Sequence, residues 1–306
     1  MNKNINDIVS IIIPTFNNAK FIVKALESLI KQSYKNWEAI IVDNNSADNT
    51  FKIVSDLKDV RVKYFKIENQ GIIAKSRNLG IKFARGEWIA FLDSDDWWTE
   101  DKLKICLDNI NENVDFIYHD LEIIYEKSKN LFRNKSFKGR QLKKPILNDL
   151  LISGISKGNA IGNSSVMVRK KMLLKIGGIS ENKNLVASED YNTWLRIAEI
   201  TDNFKYLNKR LGYYLIHENS SQKINLSIPH KQAVIDYMHH FNDQEKLSLE
   251  VKLNYMSANF NFKKNYFNEA KKEFNFALKN GNTNFKIRSL LKIILLIFKK
   301  FIINRK

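Results

Sequence analysis

The chain is short of the residues that cross-linked or stiffened scaffolds use. It has one cysteine, Cys106, and three prolines among 306 residues. A lone cysteine excludes an internal disulfide and any cysteine-rich metal site, which suits a reducing compartment. Long apolar runs are also missing. The longest near the C-terminus, residues 293–298, falls far short of the ~20 residues that a spanning helix needs. Residues 1–7 are polar and lack the charged start and apolar stretch of a signal peptide. The expectation is a cytoplasmic protein, at most peripheral on the inner face of the plasma membrane. Acid is scarce against base: 33 Asp and Glu face 50 Lys and Arg, a formal net charge of +17. Such a balance favours nucleic acid, an anionic membrane or phosphorylated substrates, unless it reflects a lysine- and asparagine-rich composition bias. No zinc finger, basic zipper or RNA-binding signature accompanies the charge, so nucleic acid is not expected as a partner. Apolar residues are plentiful, at 44%. At this length they can fill a sizeable core in one or two domains.

The first third alternates strand and helix signals. Residues 8–13 form a β-branched apolar run, as in a buried strand. Phe21, Ala25, Leu26, Leu29 and Ile30 share one helical face. Further strands are expected over 37–42, 61–67 and 88–92, and further helices from a cap at Asp48 to about 57 and over 72–84. This alternation predicts an α/β fold with a mostly parallel sheet flanked by helices. Ligands of such sheets lie beyond the C-terminal ends of the strands. Three of the four ends are polar and rich in carboxylate or amide groups: Pro14-Thr15-Phe16-Asn17-Asn18, Asp43-Asn44-Asn45-Ser46 and Asp93-Ser94-Asp95-Asp96. Residues 114–214 mix strand and helix signals around a basic loop or insertion at 128–144. From about 225 onward the pattern is helical, with one helix expected over 263–280 and Gly281 as its C-cap.

Carboxylates on a tight turn after a strand can bind a hard divalent cation, which typically takes one or two carboxylates plus substrate phosphates. Asp93-Ser94-Asp95-Asp96 fits that use, and it equally fits a solvated turn capping the helix that follows. Glu189-Asp190 can supply the general base that takes a proton from an attacking hydroxyl. The same pair can complement the N-terminus of a helix behind Ser188.

Taken in order, these segments resemble the family 2 glycosyltransferases, which have the GT-A fold. Residues 9–17 look like that family's opening strand, and Val42-Asp43-Asn44-Asn45-Ser46 looks like its second-strand motif. Arg77-Asn78-Leu79-Gly80 is similar to its Arg-Asn-x-Gly segment, and Asp93-Ser94-Asp95 matches its metal-binding D-x-D motif. The likeness runs through about residues 8–220. One departure is Asn44-Asn45, where many members have Asp-Gly.

The resemblance implies a domain over 1–222, with a nucleotide-sugar half over 1–112 and an acceptor half over 113–222. A helical region would follow over 223–306. It implies that Pro14, Thr15, Phe16, Asn17, Asp43, Arg77, Asp93 and Ser94 bind the nucleotide. Asp95, with Asp93 and His217, would hold Mn²⁺ or Mg²⁺. Asp190 would be the base and Glu189 its support. Asn163, Ser164 and Trp194 would contact the acceptor or the donor sugar. His217 is alternatively a structural histidine, and Asn163-Ser164 a simple turn.

The activity implied is inverting, metal-dependent transfer from a nucleotide diphosphate donor, UDP-sugar by default. The acceptor hydroxyl would sit on a surface polysaccharide or a lipid-linked oligosaccharide. Absence of a Q-x-x-R-W motif and of spanning helices argues for a non-processive enzyme. Two competing readings are a sugar nucleotidyltransferase and an inactive nucleotide-sugar or glycan binding module. The first usually has a glycine-rich loop after its first strand, and none stands here.

The tail is different in kind. Ile287, Leu290, Leu291, Ile294, Leu295, Phe298 and Ile302 recur at helical spacing among Lys286, Arg288, Lys292, Lys299, Lys300, Arg305 and Lys306. A basic amphipathic helix over 284–306 can lie on an anionic membrane surface, or dock on the protein itself.

Overall fold

A computed structural model describes residues 8–126, 135–156, 158–218 and 224–303. Residues 1–7, part of the basic insertion, Asn219 to Ser221, Arg305, Lys306 and the side chain of Ile302 lie outside what is described.

The first half is the expected alternation: β1 (Val9–Thr15), α1 (Ala19–Ile30), β2 (Trp37–Asp43), α2 (Thr50–Asp56), β3 (Val62–Lys66), α3 (Ile73–Phe83) and β4 (Trp88–Phe91). β1 pairs in parallel with β2 and β4, and β2 with β3. All residues of β1, β2 and β4 are buried. Strands covered on both faces need near-continuous apolar sequence, which these three have. β3 is only partly buried because it is an outer strand. Successive residues alternate between two cores, as strand geometry requires. Ile12, Ile40 and Val42 enter one, and Val9, Ile11, Ile13, Ala39 and Ile41 enter the other.

The second half adds β5 (Trp97–Trp98), α4 (Lys102–Asp108), β6 (Phe116–Tyr125), β7 (Lys135–Phe137) and α5 (Ile146–Ser156). It continues with β8 (Met167–Arg169), α6 (Lys170–Lys175), α7 (Glu189–Ala198) and β9 (Phe204–Ile216). β8 lies antiparallel between β4 and β6, and β9 runs parallel to β6. The strand order is β3-β2-β1-β4-β8-β6-β9-β5, with β7 added on β6.

Among the described residues four α-helices follow: α8 (Ser227–Val234), α9 (Asp243–Lys263), α10 (Phe267–Asn280) and α11 (Thr283–Ile303), with a 3-10 turn over Ile235–His240 between the first two. The expected helix over 263–280 begins at Phe267 instead. Asn265 turns the chain there with φ +65°, a conformation that asparagine tolerates. Gly281 does end α10, but its φ is −78°, not left-handed. Close packing demands the glycine. A Cβ at this position would lie 2.5 Å from the Ala277 carbonyl oxygen and 2.7 Å from Phe285 Cβ. Ala233, Val234, Tyr237, Phe241 and Leu249 join the core beneath the sheet. The third core, around Val251, Tyr255, Phe274 and Leu296, starts only partway along α9.

Candidate active site

Three parallel strands end on one edge, and their loops are tied to one another. Asn17 stands at φ +47°. Its backbone N–H donates to Ser46 Oγ at 2.8 Å, and its Oδ1 accepts from Ala47 N at 2.8 Å. Asn17 therefore joins the first two loops. The cap expected at Asp48 falls on Asn49, whose side chain makes no capping bond. Asp48, one residue earlier, accepts from Thr50 N at 3.1 Å through Oδ1 and from Ala19 N at 2.9 Å through Oδ2. One carboxylate thus fixes the starts of both α1 and α2. Asn18 Nδ2 donates to Ser94 Oγ at 2.6 Å and joins the first loop to the third. Asn45 has φ +54°. Glycine and asparagine both enter that region, so the departure from Asp-Gly places a residue at 45 that this backbone tolerates.

Asp43 is fully buried at the end of β2. Its carboxylate accepts from Ser46 N at 3.1 Å, from Ser46 Oγ at 2.5 Å, and from the Tyr64 hydroxyl. Tyr64 was not foreseen. It comes from β3, next to β2 in the sheet, and only the strand order brings it there. Pro14 is buried within β1, and the Thr15 hydroxyl is buried without a partner. Phe16 is 57% exposed, and an exposed aromatic at this edge suits stacking on a base.

Arg77 is the centre of the cluster. Its guanidinium donates to Asp93 Oδ1 at 2.8 Å and to Glu189 Oε1 at 2.5 Å, and it is 3% exposed. Burial alone disfavours its charge, but Asp93 and Glu189 outweigh that and hold it more firmly charged than usual. The guanidinium therefore holds two carboxylates, where a contact to the nucleotide was expected. Gly80, one turn on, explains the approach. A Cβ there would lie 2.6 Å from Ile12 Cγ2, so the glycine lets α3 sit close on β1.

Asp93 also accepts from Asn163 Nδ2 at 3.0 Å. Ser164 Oγ accepts from Asp93 N at 3.1 Å and donates to Asp96 Oδ2 at 2.5 Å. Asp96 Oδ1 accepts from Leu215 N at 3.0 Å. Burial, with Asp95 and Asp93 nearby, holds the Asp96 carboxyl well above the usual range. Asp95 Oδ2 lies 2.9 Å from His217 Nε2. Burial and Asp93 raise the Asp95 pKa, while His217 works against the rise.

Glu189 and Asp190 open α7 behind Ser188, whose side chain makes no capping bond. Ala187 just before them has φ +70°, which costs a non-glycine residue roughly 1–2 kcal/mol. Asp190 Oδ1 accepts from Tyr191 N at 2.7 Å, and Oδ2 accepts from Asn159 Nδ2 at 3.0 Å. Burial and the neighbouring Glu189 charge push Asp190 up to about 7, against the pull of Arg77. Glu189 Oε2 is buried without a partner.

Two expected sugar contacts are corrected. Trp194 is 1% exposed and packs in the core, 4.9 Å from the Phe116 ring and 6.0 Å from the Phe91 ring. It lies four residues beyond Asp190, on the face of α7 turned to the sheet. Ser164, also 1% exposed, spends its hydroxyl on Asp93 and Asp96. Asn163 remains at the cluster.

A family model described as glycosyl transferase family 2 matches residues 10–172. The chain belongs to glycosyltransferase family 2. Among curated proteins it is similar to the Escherichia coli UDP-Glc:alpha-D-GlcNAc-diphosphoundecaprenol beta-1,3-glucosyltransferase WfgD. The two are 34% identical over 195 residues, covering 63% of this chain and 70% of that protein. Among solved structures, Staphylococcus aureus TarS 1-349 in complex with UDP-GlcNAc aligns at TM-score 0.60 and 19% identity. That alignment covers 94% of this chain and 88% of the other. The mannosyltransferase PcManGT from Pyrobaculum calidifontis, in complex with GDP-Man and Mn²⁺, aligns at TM-score 0.58 and 16% identity, covering 96% and 81%. The protein is thus a nucleotide-sugar glycosyltransferase of GT-A fold, which removes the nucleotidyltransferase and inactive-module readings.

Among the described residues of this glycosyltransferase, no three His, Cys, Asp or Glu side chains gather into a ready-made metal centre. Mg²⁺ and Mn²⁺ do not need one, since substrate phosphates complete their shells. Asp93 and Asp95, with side chains 28% and 26% exposed, are the oxygen donors such an ion takes. The residues present therefore fit the metal through these carboxylates, with His217 beside Asp95.

Proposed function

We propose that this glycosyltransferase moves glucose from UDP-glucose to a hydroxyl of a lipid-linked acceptor bearing N-acetylglucosamine. The step is single, non-processive and inverting, and belongs to surface-polysaccharide assembly. The choice of glucose and of a lipid-linked acceptor draws on the likeness to WfgD. The observation that carries the chemistry is the pair of bonds from Arg77 to Asp93 and Glu189. They tie the loop that would meet the donor diphosphate to the helix that bears the base.

Mn²⁺ or Mg²⁺, held by Asp95 and Asp93 with His217, would neutralise the diphosphate leaving group. Phe16 stacks on the base of the nucleotide, and Asp43 would reach the base only by giving up a bond to Ser46 or Tyr64. Asp190, fixed by Asn159 and Tyr191 N, takes the acceptor proton while the acceptor oxygen bonds to the anomeric carbon. The bond from that carbon to the diphosphate oxygen breaks on the opposite face, so configuration inverts. A carboxyl with a pKa of about 7 suits this work near neutral pH, where a base is most effective.

The test uses purified full-length protein with Mn²⁺, a synthetic N-acetylglucosamine diphospholipid and each of UDP-glucose, UDP-galactose and UDP-N-acetylglucosamine. The expected product carries one β-linked glucose, read by mass spectrometry and NMR. Transfer from another donor in preference to UDP-glucose overturns the choice of sugar. An α-linkage overturns the single displacement.

A further inference from the structure

Helix α11 bears apolar side chains on two opposite faces. Ser289, Ile293 and Leu296 are buried, and the two apolar ones pack in the third core with Val251, Tyr255 and Phe274. Ile287, Leu291, Ile294 and Phe298 are 56%, 56%, 43% and 63% exposed. Their spacing of four, three and four residues makes one continuous stripe. At about 100° per residue, this stripe lies on the far side of the helix from the packed one. Leu290, Leu295 and Ile297 are also exposed and widen it. A contiguous face of this kind is unlike the single apolar residues scattered over ordinary surfaces.

Charge frames the stripe. Residues 283–303 include Lys286, Arg288, Lys292, Lys299 and Lys300 and no acid, and no acid follows Glu273 in the sequence. Arg288, Lys292 and Lys299 each follow a stripe residue by one position, which sets them on one border. Their charged ends lie over the rings of Tyr255 and Phe262, at 5.1, 5.3 and 4.9 Å respectively. Lys286 precedes Ile287 and marks the other border. Burial lowers the pKa of Lys292, and the Lys263 and Arg288 charges beside it add to the effect.

We propose that the exposed face of α11 docks the enzyme on an anionic lipid surface. The helix would lie in the interface with its stripe among the acyl chains and its cations at the headgroups. Apolar residues bordered by cations that pair with no acid among the described residues match that environment on both counts. A second copy matches it poorly, because a two-fold contact would set the same basic borders against each other. Among the described residues, no helix is long and apolar enough to cross a membrane. The docking proposal is independent of the sugar and acceptor proposed above.

The test keeps the full chain, because deleting α11 would bare the third core. Wild type and the double variant Leu291→Glu, Phe298→Glu are sedimented with vesicles of phosphatidylglycerol plus phosphatidylcholine, and with phosphatidylcholine alone. Wild type should bind the anionic vesicles and be released by salt. The variant should bind at least about tenfold more weakly, having lost two apolar anchors, with UDP binding unchanged as evidence that it is folded. Equal binding by variant and wild type overturns the proposal. So does equal wild-type binding to both vesicle types. Failure of the wild type to bind, together with self-association that the variant loses, overturns it in favour of a second copy.

Discussion

At the N-terminal end of the parallel strands, Glu38 is fully buried yet well supplied with donors. Ser10 Oγ donates at 2.7 Å, Arg85 N at 2.7 Å, Arg85 Nε at 2.9 Å and Lys63 Nζ at 2.8 Å. Burial alone would raise its pKa, but these bonds bring it down to about 2. At the C-terminal end, Asp95, Asp96 and Asp190 have fewer donors and are pushed upward. Glu189 Oε2, Arg77 Nε and the Thr15 hydroxyl are buried there without partners. A buried polar group without a bond costs on the order of 1–3 kcal/mol. One end of the sheet thus spends its carboxylate on stability. The other leaves its carboxyls easier to protonate and keeps bonding capacity for a ligand.

The largest expected break in this contrast is Asp190→Asn. Transfer should fall about a thousandfold, within the range for a lost general base, while UDP affinity stays unchanged by calorimetry. Stability should move the other way. A carboxyl raised to about 7 in the fold, against about 4 unfolded, binds its proton more tightly when folded. Its presence therefore costs stability as pH rises from about 4 through 7, and the cost is complete above that. The Asn variant should melt a few degrees higher than wild type at pH 8 and show no gain at pH 4.

Glu38→Gln should behave in reverse. The folded pKa of about 2 against 4.5 amounts to about 3 kcal/mol of stability. That contribution is present above pH 4.5 and fades as pH falls through 2. The variant should lose stability by about that much in denaturant at pH 7, with KM for the donor unchanged.

Smaller effects sharpen the contrast. Asp95→Ala should weaken Mn²⁺-dependent UDP binding about thirtyfold and leave metal-free binding as it was. If both affinities are unchanged, the metal does not sit on Asp95. The rate of transfer should rise about tenfold between pH 6 and 8, as Asp190 loses its proton near pH 7. A flat profile would assign the base to another group.

Much of the donor end was legible in advance. Strands β1, β2 and β4 appear within about two residues of the expected spans, because apolar runs bounded by polar turns are local signals. The polar ends were legible for the same reason: in a parallel sheet they must share an edge. Trp194 was misplaced because it follows a functional pair in sequence. Four residues on is one turn of the helix and nearly the same face as Asp190, but one turn deeper, where the Phe91 and Phe116 rings cover it. That depth is set by the sheet and not by sequence spacing. The tail offered two readings. Docking on the protein describes the face of α11 bearing Ile293 and Leu296, and membrane contact is what is proposed for the opposite face.

The sequence by itself determined the alternation of elements, the family and the carboxylates that end the strands, since each depends on neighbours only a few residues apart. Tertiary structure alone decided what those carboxylates touch. The bonds from Arg77 to Glu189 and between His217 and Asp95 join residues 112 and 122 positions apart. Only the strand order brings them together. Burial raises Asp190 to about 7, while the donors that the same order brings to Glu38 hold it at about 2 against its own burial, although both are simply acids in the sequence.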